Sequence, residues 1–236
     1  VAVIPCLNEE AAILEVVRGV KHHLPNVIVV DDGSTDETAA LAAKAGAEVI
    51  RQTMTQGKGA ALRAGWERAR QRGFSWALAM DGDGQHAPED IPAILAAAAA
   101  GDVDLVVGNR MAEPGQMPWI RRRVNRWMSR RLSDAAGLWL PDSQCGFRLM
   151  RLEAWADLPI ETSHFEIESE VLLGFVARGF AVAFVPVRAI YKSEQSKIHP
   201  VRDTIRWFRW WLRARRNLHY NRPSQNAAPP SSLSSG

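Results

Sequence analysis

The 236-residue sequence predicts an α/β protein built on a doubly wound, mostly parallel sheet with helices on both faces. Three observations lead there. Short apolar runs alternate with helix-like stretches from residue 1 to about residue 110. Several of those runs end on acidic or polar clusters, at the strand ends where open α/β sheets bind ligands. A hydrophobic content of 47% over this length supplies one full core.

Taken in order, residues 1–5, 27–31, 47–51, 76–80 and 103–108 read as strands, bounded by turn-forming residues. The stretches 9–23, 36–45, 58–72 and 88–100 between them read as helices. After residue 110 the alternation changes. A basic helix is expected at about 119–136, a strand at 146–150, a helix at 166–178, a strand at 180–187 and a last helix at about 200–219. The Pro- and Ser-rich stretch 221–236 is expected to be disordered, because it has too little apolar surface to offset the entropy of ordering. There is no internal repeat.

The formal charge of +3 conceals clustering, with arginines concentrated between residues 110 and 131 and between 202 and 216. Such clusters imply an anionic partner: a phosphate, a nucleic acid or an acidic membrane surface. Two cysteines, Cys6 and Cys145, make no disulfide framework, and a reducing, cytoplasmic setting is expected. No leader pattern is legible, and no apolar run approaches the roughly 18–20 residues needed to span a bilayer.

The stretch "ALAMDGDGQH" (77–86) ends an apolar run on Asp81, Asp83 and Gln85. Two carboxylates that close repel unless a cation lies between them. A turn and a divalent-metal site both fit these residues. An EF-hand does not, since His86 and Pro92 stand where it needs Gly and Glu. In "IVVDDGSTDET", Ser34, Thr35 or Asp36 can cap the following helix. The pair Asp31 and Asp32 suits either a solvated turn or the N–H edge of a nucleobase. "TQGKGAALRAG" is not a P-loop, because glycine follows Gly57-Lys58 where Ser or Thr is required. Lys58 reads as a phosphate or base contact, or as a solvated lysine.

Together, "PCLNEE" (5–10), "VVDDGSTDET" (29–38), "GKGAAL" (57–62), "DGDGQH" (81–86), "GNR" (108–110), "CGFRLMR" (145–151) and "SKI" (196–198) form a joint pattern over residues 1–200. By it the chain resembles the family 2 glycosyltransferases of GT-A fold, within them the dolichol-phosphate or polyprenyl-phosphate mannosyltransferase type. The resemblance implies a DxD element, Asp81-Gly82-Asp83, holding Mg²⁺ or Mn²⁺ with Gln85 against the diphosphate of a GDP- or UDP-sugar. It also implies that Pro5, Leu7, Asn8, Glu9, Asp31, Asp32 and Lys58 line the donor site. A lipid phosphate is already anionic, so such an acceptor needs no strong protein base and is best held by arginine. The resemblance assigns that role to Arg110 and, by looser alignment, to Arg121, Asn125, Arg188 and Lys197. It makes Asp81, Asp83 and Arg110 the catalytic set.

Asp142 reads as a hydrogen-bond partner of its loop, and Glu166, Glu168 and Glu170 as general-base candidates if the acceptor is instead an alcohol. The expected organisation is a GT-A domain over 1–199, with a nucleotide-sugar half (1–110) and an acceptor half (111–199), then an interfacial helix (200–220). In that helix Val201, Ile205, Phe208 and Leu212 share a face flanked by Trp207, Trp211 and Leu218, beside a stripe of Arg202, Arg206, Arg209, Arg213 and Arg216. Peripheral attachment to the cytoplasmic face of a membrane is expected. Nucleic acid is not an expected partner, since acidic strand tips would repel its phosphates.

Overall fold

The computed structural model describes residues 1–115, 117–191 and 200–220. Lys197, the "SKI" motif, the 221–236 stretch and the side chains of Val201, Arg202, Arg216 and Leu218 lie outside the described residues. Strands β1 (Ala2–Cys6), β2 (Val27–Asp31), β3 (Glu48–Arg51) and β4 (Trp76–Ala79) alternate with helices α1 (Ile13–Lys21), α2 (Thr38–Lys44) and α3 (Lys58–Gln71). A 3₁₀ turn (Pro88–Asp90) and α4 (Ile91–Ala99) lead to β5 (Leu105–Asn109). Then come α5 (Trp119–Ala136), β6 (Arg148–Arg151), α6 (Leu152–Ala156), α7 (Ile167–Ala177), β7 (Val182–Pro186) and α8 (Pro200–Tyr220).

The seven strands form one sheet in the order β3-β2-β1-β4-β6-β5-β7. Pairing is parallel except around β6, which runs antiparallel to both β4 and β5. The inserted strand brings its leading residues, Cys145 to Phe147, to the edge where the parallel strands end. The loops after β1, β2, β4, β5 and β7 therefore share one rim with the loop before β6.

The elements form for local reasons. In α1, Ile13, Val16, Val17 and Val20 recur at helical spacing and are all buried. Strands β1 and β2 are buried along their whole length, as strands covered on both faces must be. Helix α3 lies close on them because residue 65 is glycine. A Cβ there would stand 2.3 Å from Val3 Cγ1 and 3.0 Å from Val30 Cγ2.

The structure departs from the sequence expectation in three places. Helix α1 starts at Ile13 rather than near residue 9, because the chain still turns before it: the Ala12 and Ile13 amides both reach Glu9 O, and Ala12 stands at φ −121°, outside the helical range. The turn is tied to the second strand's side. Asn8 N–H donates to Ser34 Oγ (2.8 Å) and Glu9 N–H to Thr38 Oγ1 (2.7 Å). Ser34 thus serves the first loop, and Asp36 Oδ1 accepts the Thr38 amide at the start of α2 (3.0 Å). The short α6 was not expected. Lastly, Trp207 and Trp211 are buried against the domain instead of flanking an exposed apolar face. Trp207 packs on Trp127 of α5 and donates its indole N–H to Ser169 Oγ of α7 at 2.8 Å. Ile205 and Phe208 are the exposed apolar residues of α8.

The Gly65 contact yields a test. Gly65→Ala should destabilise the fold by about 1–3 kcal/mol, the usual cost of overpacking a filled core, read as a lower urea midpoint at unchanged m.

Candidate active site

The loop after β4 carries the acids at the centre of the rim. Asp81 N–H donates to Nδ1 of His86 (3.3 Å), and Gln85 N–H to Asp83 Oδ1 (2.9 Å), so the loop folds back on itself. His86 is buried and stacked on Phe147 at 5.3 Å. Burial lowers its pKa, which keeps the ring neutral and Nδ1 an acceptor. Gly146 lets the loop before β6 lie close on this site, since a Cβ there would stand 3.0 Å from both Asp81 Oδ2 and Lys58 Nζ.

Lys58 Nζ lies 2.6 Å from Asp81 Oδ1 and 2.6 Å from Glu168 Oε1, and 5.7 Å from the Phe165 ring centroid. Burial works against its charge, but the two carboxylates outweigh it and raise its pKa. Burial likewise penalises Asp81, and Lys58 more than offsets that, holding Asp81 ionised below the usual range. Asp83 differs. Burial and then the charge of Asp81 raise its pKa, and among the described residues it forms no salt bridge. A hard divalent cation fits this pair. It would relieve the repulsion that raises Asp83, take two carboxylate oxygens and leave positions for oxygens from outside the chain. The third expected ligand, the Gln85 amide oxygen, accepts from Arg121 NH1 at 3.4 Å.

On the β1–β2 side the donor residues are stitched together. Asn8 sits at φ +52° and accepts the Thr35 amide through Oδ1 (2.9 Å). Pro5 is buried within β1, while Leu7 and Glu9 lie partly exposed at its end. Asp31 accepts the Ser34 amide (2.9 Å) and lies 3.3 Å from Arg51 Nε. Asp32, read as a solvated turn residue or a base contact, is not a solvated turn. It is buried, and its two oxygens take the amides of Gln56 (2.7 Å) and Gly57 (2.8 Å), holding the loop before α3. The start of α3 is closed to a phosphate as well, because Ser163 O accepts the amides of Gly59 and Ala60. Lys58 is correspondingly a bridge between two carboxylates, not a solvated lysine.

The opposite side of the rim is cationic. Arg110 Nε and NH2 grip Asp142 at 2.8 and 3.0 Å, and the Arg110 amide adds a third bond at 3.0 Å. Asp142 also accepts from Asn125 Nδ2 (2.8 Å) and the Gln144 amide (3.2 Å). Burial would raise this carboxyl, but the Arg110 charge and those bonds win and lower its pKa. Two of the N–H bonds of the Arg110 guanidinium are spent on Asp142, and the fork keeps others for a ligand. Arg121 lies over the Tyr191 ring at 5.7 Å.

Two expected acceptor contacts fall elsewhere. Asn125 is 4% exposed and both ends of its amide are used inside the protein, on Asp142 and Ser129. It lies one turn below Arg121, and that turn carries it off the rim into the core. Arg188 pairs with Asp90 at 2.9 Å at the start of α4. The three glutamates separate. Glu170 holds the 161–162 amides, Glu166 faces Arg206 of α8 at 3.6 Å, and only Glu168 reaches the site. Helical spacing carries a signal for that: Glu168 shares a face with the buried Val171, Leu172 and Phe175. Nothing in the local sequence marks Tyr191.

An acid-lined side and an arginine-lined side thus meet at the Asp81-Gly82-Asp83 loop, at the carboxyl ends of the parallel strands. Residues 1–158 match the family described as glycosyl transferase family 2.

The chain belongs to glycosyl transferase family 2.

Among its relatives it is 31% identical over 199 residues to the polyprenol monophosphomannose synthase of Mycolicibacterium smegmatis, covering 78% of this chain and 75% of that one. It is 29% identical over 212 residues to the UDP-N-acetylglucosamine–dolichyl-phosphate N-acetylglucosaminyltransferase of Methanococcus voltae, covering 80% and 84%. Its fold is that of glucosyl-3-phosphoglycerate synthase from Mycobacterium tuberculosis, solved in complex with Mn²⁺, UDP and glucosyl-3-phosphoglycerate. The TM-score is 0.71 at 22% identity, over 91% of this chain and 78% of that one. The protein is thus a GT-A glycosyltransferase.

Asp142 provides the test of this site's construction. Asp142→Asn should cost about 3–5 kcal/mol near neutral pH, because it leaves Arg110 buried without its anion. The folded-state pKa of Asp142 is depressed, so the wild-type advantage is present above the ordinary carboxylate range and lost as pH falls through the folded value. Urea unfolding of both proteins from pH 7 down to pH about 3 should show the gap narrowing.

Proposed function

We propose that this glycosyltransferase transfers a hexose, with mannose from GDP-mannose favoured, from a nucleotide sugar to a polyprenyl or dolichyl phosphate. The observation that carries this reading is the charge state of the acceptor side. Its arginines, Arg110 and Arg121, point to an anionic acceptor. The buried carboxylates beside them are already committed, Asp142 to Arg110 and Glu168 to Lys58. A side built that way suits a nucleophile that arrives ionised.

A phosphate oxygen of the acceptor attacks the anomeric carbon from the face opposite the nucleotide. The carbon–oxygen bond to the nucleoside diphosphate breaks, and the anomeric configuration inverts. The contribution of the chain is aim: Asp142 orients Arg110, and Arg110 with Arg121 sets the phosphate in line. A Mg²⁺ or Mn²⁺ ion on Asp81 and Asp83, when bound, offsets charge growing on the leaving diphosphate. Lys58 adds positive charge at the same place. The relatives named for polyprenyl- and dolichyl-phosphate transfer support the acceptor class, and they differ in the sugar they carry.

A second reading, transfer from a UDP-sugar to an alcohol of a glycan or glycolipid, draws on Glu168. Its Oε2 is buried and makes no hydrogen bond. Glu168→Gln should abolish transfer to an alcohol and leave much of the transfer to lipid phosphate.

The lipid acceptor places the enzyme at a membrane surface, and we read it as peripheral on the cytoplasmic face. No helix among the described residues is long and apolar enough to cross a membrane. Trp119, Ile120 and Trp127 of α5 are exposed, as are Leu138 and Trp139 just after it and Ile205 and Phe208 of α8. Arginines intersperse them, the pattern of an interfacial surface.

The test is a panel of GDP- and UDP-sugars with polyprenyl phosphate, with and without Mg²⁺ or Mn²⁺, read as radiolabelled lipid. Asp83→Asn should lower kcat by about a hundredfold or more, the scale of several kcal/mol of lost charge stabilisation. Arg110→Lys should raise the acceptor KM and leave nucleotide affinity near the parent value. Equal loss of both would show that the two sides of the rim do not divide the substrates. For the membrane, Ile205→Ser/Phe208→Ser should weaken sedimentation with anionic vesicles at low salt without lowering Tm. Unchanged sedimentation would remove this surface from the account.

A further inference from the structure

We propose that Trp207 of α8 is a positioning residue for Arg110, acting through a continuous chain of hydrogen bonds that crosses α7, the loop before β6 and α5. Arg110's part in holding the acceptor phosphate rests on the function proposed above; the chain itself does not.

The links are continuous. Trp207 Nε1–H donates to Ser169 Oγ (2.8 Å), and Ser169 Oγ accepts a second bond from Gln144 Nε2 (2.9 Å). The same Gln144 nitrogen donates to Ser143 Oγ (2.8 Å). Ser143 and Ser129 share a hydroxyl bond of 3.0 Å, and Ser129 Oγ donates to Asn125 Oδ1 (3.0 Å). Asn125 Nδ2 donates to Asp142 Oδ1 (2.8 Å), and Asp142 grips Arg110.

The proton count leaves one direction. Asn125 must donate through Nδ2 to an ionised carboxylate, so its Oδ1 faces Ser129 and the Ser129 proton goes there. Ser129 Oγ is then an acceptor for the Ser143 hydroxyl and also takes the Ser143 amide (3.0 Å). Ser143 Oγ in turn accepts one hydrogen of the Gln144 amide, and the other goes to Ser169 beside Trp207. Ser143 and Ser169 are fully buried, and Trp207, Ser129 and Asn125 nearly so. Gln144, which joins the two ends, is half-buried. A break at Trp207, Ser143, Ser129 or Asn125 leaves a buried N–H or O–H without its acceptor, which is where such bonds are worth most. The opposite side of α8 exposes Ile205 and Phe208, so one helix joins the surface that would meet lipid to the residue that would meet the lipid's phosphate.

The test uses the full chain with Trp207→Phe, which keeps an aromatic ring, and Ser169→Ala, which removes the shared acceptor. The first readout is the Arg110 Nε–H signal in ¹⁵N NMR, identified by its loss in Arg110→Lys. Both variants should shift that signal and speed its exchange with solvent by about two- to fivefold, up to the factor of one neutral hydrogen bond. The double variant should add little, because both changes break the same link. A core variant of similar Tm, Ile94→Val, should leave the signal in place. The second readout is kinetic: acceptor KM should rise by a similar factor with donor KM unchanged. An unmoved Arg110 signal, or a shift that Ile94→Val reproduces, overturns the proposal. A donor KM that rises with the acceptor KM does so too. Parent protein inactive on lipid phosphate would instead overturn the function reading, and the NMR readout would still decide the chain.

Discussion

Asp142 is a carboxylate without access to water, and much of the site follows from keeping it ionised there. A buried charge is tolerated only when it is paired and fully hydrogen-bonded. Arg110 supplies the opposite charge at the end of β5, while Asn125 and the Gln144 amide complete the set from α5 and from its own loop. Three separate parts of the chain are thereby held to one another at fixed distances. The same loop is gripped from its other side by Arg148, a second buried guanidinium, which donates to the carbonyls of Ser143, Cys145 and Glu168. The inserted antiparallel strand β6 thus begins in a segment whose polar atoms are accounted for on both sides.

That arrangement divides the rim electrically. Strands β1, β2 and β4 end in acids, whereas β5 and the first turn of α5 bring guanidinium groups. Lys58 stands between two of the acids, and its charge helps keep Asp81 ionised, while burial and the Asp81 charge push Asp83, which has no salt bridge among the described residues, the other way. The function proposed above calls for this polarity: oxygen ligands on one side, donors of positive charge on the other. The central position of β4 puts the DxD loop where the two sides meet.

Periodicity and punctuation made most of the fold legible in the sequence. The apolar stripe of α1, the apolar runs of β1 and β2, and the acids at the strand tips are local patterns with local causes, and they led to the right elements in the right order. The joint motif pattern led to the right family. Boundaries slipped where a turn precedes the helix, as at Glu9 to Ala12 before α1. The antiparallel direction of β6 carries no local signature, because a short apolar run pairs equally well either way until its neighbours are known.

The site separates along the same line. Residue type and spacing alone determined that Asp81 and Asp83 lie together at a strand end and that Arg110 follows another. Only the tertiary structure decided what each charged or polar group faces. It gave Asp32 to two backbone amides, Lys58 to Glu168, Asn125 to Asp142, and Trp207 to Ser169 rather than to an exposed face. Each of those partners comes from a segment far away in sequence. The energy of a buried polar group depends on the atoms that replace its water, and sequence spacing says nothing of them.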